Sequence, residues 1–119
     1  MEQEFFNAAL FGIRKQGRAS MAPEGRCFYR SPDGCKCAAG HIITDAEYHR
    51  DMDEGEVGSF GPLFVNQFKL NRLKDYVAFI RDLQGAHDMA SCTRNFMVAF
   101  EDNMLRLARR YNLTYSPPE

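Results

Sequence analysis

Three of the four cysteines fall at Cys27, Cys35 and Cys37, and His41 follows four residues after the last of them. Sulfur and imidazole at that density are the donors a tetrahedral zinc site uses, and His87 offers a second ring further along. Cys27, Cys37, His41 and His87 are therefore the candidate metal ligands, with zinc the ion that suits them. Their C-x9-C-x3-H spacing is not that of a standard finger. A buried cluster of thiols packing as small apolar side chains competes with the metal reading. The catalytic alternative is a thiol nucleophile with a histidine base, from Cys37 or Cys92 with His41 or His87. No cysteine-hydrolase signature surrounds any of them. His87-Asp88 echoes metal-dependent phosphohydrolases, but three histidines in all are too few for such ligand sets. No residue is assigned a catalytic role.

Charge supplies the second kind of chemistry. Residues 14–30 hold Arg14, Lys15, Arg18, Arg26 and Arg30 against Glu24, a local +4. Arg14, Arg18, Arg26 and Arg30 could together grip a small anionic ligand such as a nucleotide, or an acidic partner. Residues 44–56 hold six acids against Arg50, a local −5 suited to a basic partner. Solvated helix surface explains such runs equally well. Gly55, Gly58 and Gly61 are spaced by three, but they follow an acidic segment and no G-K-[ST] is present. They read as a connection rather than a phosphate loop.

The elements that must position these groups follow from local signals. Ser31-Pro32-Asp33-Gly34 has proline and glycine where a turn takes them, and β-favouring residues flank it. A β-hairpin with a three-residue loop at 32–34 is expected. Ser31 then faces Cys35, and Cys27, Cys35 and Cys37 share one face. Cys27 and Cys37 become diagonal neighbours with Cα atoms roughly 7–8 Å apart, long for a disulfide and suitable for one metal ion. Helices are expected over 4–16, capped by Gly17; from Thr44, with Glu47 closing a capping box; over 63–83; and in a last amphipathic helix built on Met97, Phe100, Met104, Leu107 and Tyr111. Ser91 or Thr93 would start that last helix and Asn112 would end it. The expected core is Phe6, Leu10, Ile13, Leu73, Val77, Ile80, Phe100, Met104 and Leu107.

Length and composition bound the rest. With 119 residues, 45% apolar and 26% charged, the chain has room for one core. The expected fold is a single α+β domain, mainly α, with the hairpin packed against three to four helices over 1–119 and a flexible tail at 114–119. A net charge of −1 disfavours a nucleic-acid partner, and no apolar run reaches membrane-spanning length. The start Met1-Glu2-Gln3-Glu4 is acidic where a secretory signal is basic, so a cytoplasmic, reducing setting with free or metal-bound thiols is expected.

The motif Cys27-x-Tyr29-Arg30, then Asp33-Gly34-x-x-Cys37-Ala38-x-Gly40-His41-x-Ile43-x-Asp45-x-x-Tyr48, and later Leu83-Gln84-x-x-His87-Asp88, resembles a group of short, mostly uncharacterised proteins of tailed phages and prophages. The resemblance spans roughly residues 11–111. In that group cysteine often stands at the position of His41, an exchange a zinc ligand permits, and leucine often stands at that of Cys35. The resemblance brings no activity with it. It implies a phage-type accessory protein in an infected or lysogenic bacterial cell that binds a host protein or complex and disables host defence, with Tyr29, Asp45, Tyr48 and Asp88 joining the arginines as candidate binding residues.

Overall fold

The structure is a computed structural model that describes residues 1–21, 27–54 and 59–118. The longest helices are α1 (Glu2–Gln16), α5 (Val77–Ser91) and α6 (Phe96–Tyr111). Between them lie the short α2 (Ala38–Ile42), α3 (Asp51–Glu54), α4 (Pro62–Gln67) and a 3₁₀ segment, Asn71–Tyr76, that runs into α5.

α1 forms where its apolar period requires. Phe5, Phe6, Ala9, Leu10 and Ile13 are buried along one stripe, with Glu2 and Glu4 at the positive end of the helix dipole and Arg14 and Lys15 at the negative end. Gly17 ends it at φ 74°, donating its N–H to the Ile13 carbonyl at 2.8 Å. α6 ends on Asn112 at φ 57°, but its N-cap is Asn95, whose side chain accepts the Val98 N–H, and not Ser91 or Thr93. Ser91 is still inside α5.

The single helix expected over 63–83 is three pieces. Lys69 takes a left-handed φ of 55°, and the Leu70 N–H folds back onto the Val65 carbonyl at 2.9 Å. The break buries both Phe64 and Leu73 while Leu63 stays 86% exposed, which one straight stripe could not do. Thr44 and Glu47 do form the reciprocal bonds of a capping box, yet they close a turn rather than start a helix.

The α+β expectation fails at the hairpin. The turn is present: Ser31 N–H bonds the Cys35 carbonyl at 2.8 Å, Gly34 sits at φ 88°, and Arg30 bridges Lys36. No strand follows it. Among the described residues, only the isolated bridges Met21–Cys27 and Arg30–Lys36 are β-like. The second arm turns helical at Ala38, so the domain is a small helical one.

Local chemistry explains that turn to helix. Ala38 and Ala39 are the best helix formers, and Cys37 is the N-cap, its sulfur accepting the Gly40 N–H at 3.4 Å. Gly40 is required by closeness: a Cβ there would lie 2.0 Å from the Tyr29 carbonyl oxygen. α2 packs between α1 and α5, while α6 closes the far side of both long helices. Eight of the nine expected core residues are buried, and Val77 is half-buried at the edge.

Candidate functional site

The two sequence motifs meet where α2 lies against α5. From α5, Gln84 accepts the Ala39 N–H at 2.8 Å and donates its amide to Asp88 Oδ1 at 2.8 Å. Asp88 Oδ1 also lies 2.9 Å from His87 Nδ1, and His87 Nε2 faces the Ser20 N–H at 3.1 Å. Ser20 carries the chain of bonds on, donating its hydroxyl to the Cys35 carbonyl at 3.2 Å.

That arrangement fixes the His87 tautomer. A backbone N–H can only donate, so Nε2 is the acceptor and the neutral ring carries its proton on Nδ1, pointed at Asp88. His87 is fully buried, with Phe96 edge-on to its ring.

The expected zinc quartet is not gathered at one point. Among the described residues, the side chains close enough to share an ion are Cys27, His87 and Asp88, with donor atoms within 4.8 Å of one another. His87 does not fit a metal there, because the ring nitrogen facing the group is protonated and its other lone pair is taken by Ser20. Cys37 Sγ is turned inward to cap its own helix, and His41 Nε2 donates to Gln16 Oε1 at 3.0 Å. Gly12 of α1 makes room for that imidazole: a Cβ would come within 2.4 Å of it.

Neither thiol near a histidine is primed as a nucleophile. Burial pushes the Cys37 thiol well up from its ordinary value. Cys27 is also raised, chiefly by burial and further by Asp88, against the opposing hydrogen bond with Ser91. A reactive thiol needs the reverse shift. His41 is held neutral, down to about 4, by burial first and then by the neighbouring cations Lys36 and Arg30.

The other motif residues converge on an acid that sequence reasoning missed. Asp53 Oδ1 accepts the Tyr29 N–H at 2.8 Å, and Oδ2 accepts the Arg30 N–H at 3.1 Å and the Tyr48 hydroxyl at 2.7 Å. The Arg30 guanidinium stacks 4.6 Å over the Tyr48 ring, pairs with Asp45 at 2.7 Å and donates to the Ile43 carbonyl. Tyr29, Arg30, Asp45 and Tyr48 are thus brought together, but to tie the turn to α3 and the segment before it. Asp53 was one acid in a run, with nothing local to set it apart.

Two more of the candidate arginines are also engaged. Arg14 makes a two-pronged bond to Glu101 at 2.5 and 2.6 Å and donates to the Ser116 carbonyl. Burial opposes ionisation of Glu101, but the bonds from Arg14 and Tyr115 outweigh it and hold the carboxyl low. Arg18 pairs with Asp33 at 3.1 Å and reaches Cys35 Sγ. Arg26, and Gly55 and Gly58 of the glycine series, lie outside the described residues.

One groove open to a ligand is largely apolar. Phe11 of α1, Met97 and Val98 of α6 and the tail residues Pro117 and Pro118 line a groove of about 780 Å³. Phe11 is 49% exposed and Val98 65%. The tail that walls it is bonded to α1 through Thr114 N–H to Gln3 Oε1 at 2.8 Å and through the Arg14–Ser116 contact.

No family model, no curated protein and no solved structure matches the chain. Among the described residues, no helix is long and apolar enough to cross a membrane.

Proposed function

We propose that this chain is a small accessory protein of the phage type that binds a host protein or complex without catalysis, its target being a component of host defence. The observation that carries the binding reading is the groove lined by Phe11, Met97, Val98, Pro117 and Pro118. Its volume falls within the range of ligand sites, yet among the described residues its only charged liners, Arg14 and Glu101, neutralise each other. An anionic nucleotide has nothing to hold there; an apolar side chain of a protein partner does. The phage setting comes from the motif resemblance. Support for a non-catalytic role is the internal use of Cys37, His41, His87 and Asp88, each bonded to its own fold.

The test is capture from bacterial lysate on the immobilised chain, beside a Phe11→Asp/Val98→Asp variant of unchanged melting temperature. A host protein held by the wild type and released by the variant is expected. Identical profiles from the two would remove the reading.

A further inference from the structure

A second surface differs in character from the apolar groove. Along the seam of α5 and α6, Arg81 stands on one wall and Arg106 and Arg110 on the other, over a floor that includes Gly85, Ala86 and Leu107. Added bulk at Gly85 would meet nothing within 4 Å, so the floor is open. Met89, 70% exposed, lies beside it. Three arginines line this cleft against one acid, Asp82.

Asp82 keeps its charge but is already engaged. It accepts the Tyr111 hydroxyl, and Arg110 reaches it only at 3.9 Å. Arg106 pairs with Asp102 at 2.6 Å, but both side chains are more than half exposed. A pair so placed contributes little and exchanges readily for a better carboxylate. Arg81 forms no ion pair among the described residues.

We infer that the α5–α6 seam is a docking groove for an acidic, amphipathic segment of a protein partner. The inference rests on the reading of the chain as a protein-binding module. Charge complementarity names the partner: carboxylates to meet guanidinium forks from both walls, which bind them in two-pronged fashion. Met89 and Leu107 call for an apolar anchor between those acids. The cleft holds about 250 Å³, below the range of small-molecule sites and enough for a side chain. Nucleic acid fits less well, for it offers phosphate without the apolar anchor, and the chain as a whole carries −1.

The probe is a synthetic amphipathic helix of about 20 residues with glutamates on one face and leucines on the other, followed by fluorescence anisotropy. Its glutamine and lysine counterparts and a DNA duplex run beside it. The glutamate peptide should bind and the glutamine peptide should bind at least about tenfold more weakly. Raising salt from about 0.1 M to about 1 M should weaken it further. Arg81→Glu/Arg106→Glu should lose the glutamate peptide and gain the lysine one, while Arg81→Gln/Arg106→Gln should bind neither well. No binding of the glutamate peptide, equal binding of the glutamine peptide, preference for the duplex, or a dimer that the arginine variants dissociate would each overturn the inference. The Phe11→Asp/Val98→Asp variant should retain the peptide. Lysate capture lost in that variant with no peptide binding leaves the functional reading and removes this one; arginine-dependent peptide binding without lysate capture does the reverse.

Discussion

The α2–α5 seam and the outer faces of α1, α5 and α6 use opposite kinds of residue. At the seam, the side chains with the richest chemistry are bonded inward, from Cys37 and Gln84 to His87 and Asp88. On the outer faces, ordinary helix residues such as Phe11, Val98 and Met89 stay largely exposed, and Arg81 lines an open cleft. The difference ties the reactive residue types to the places where this fold is difficult to hold. A short helix packed between two long ones has orphan N–H groups and no length of its own to stabilise it. Cys37 and Gln84 supply the missing partners, and Asp88 holds Gln84 in place.

If the seam is structural, perturbing it should cost stability and perturbing the outer faces should not. The largest effect is expected at Gly40→Ala. The added methyl would sit 2.0 Å from the Tyr29 carbonyl oxygen and 3.3 Å from Lys36 Cβ, so backbone must move. A loss on the order of 3 kcal/mol or more follows from overpacking of this kind, read from urea unfolding. A loss below about 1 kcal/mol would show that α2 is not held against the turn as described. The two groove substitutions on the outer face should stay within about 0.5 kcal/mol each.

His87→Phe comes next. An aromatic ring is kept, but the Ser20 N–H loses its acceptor and Asp88 is left with Gln84. Leaving a buried donor unsatisfied costs about 1–3 kcal/mol. Zinc added to the wild type should leave its melting temperature unchanged, since the ring has no lone pair facing Cys27. A zinc-dependent rise in melting temperature that His87→Phe abolishes would instead make the seam a metal site and break the contrast.

The sequence made α1 and α6 legible and left the shorter helices and the links between them hidden. The stripes of α1 and α6 and the end caps Gly17 and Asn112 are local, so period and cap chemistry were enough. The hairpin was misread because Cys-Phe-Tyr and Pro-Asp-Gly speak for strand and turn, whereas Ala38-Ala39 and the Cys37 cap speak for helix, and two short arms cannot form a sheet alone. Gln84 and Asp88 were visible as a motif but not as the cap and orienter they are, because their partners are Ala39 and His87 in a packed seam. Asp53 and Gln16 gave no local signal at all. Their roles depend on contacts 24 and 25 residues away in sequence.

The smallest effect is a pH dependence, and it tests whether the seam is dry. His41 is held neutral, down to about 4 from an ordinary 6.5, by burial first and then by the cations Lys36 and Arg30. The folded value lies below the unfolded one, so the unfolded chain binds more protons between them. Stability is therefore fully present above about pH 6.5 and falls as the pH drops toward about 4. Because the ring is partly open to solvent, the loss is discounted to on the order of 1–2 kcal/mol. The held-down carboxyls Glu47 and Glu101 have an ordinary value of 4.5 and weaken the fold only below it, which leaves the window from about 6.5 to 4.5 to histidine. His41→Gln can keep a donor to Gln16 Oε1 while removing the titration. Unfolding free energies measured at steps through that window should slope for the wild type and lie flatter for the variant. Equal slopes would mean that His41 is hydrated in the folded state, and the contrast between a closed seam and an open outer face would weaken at its α1 edge.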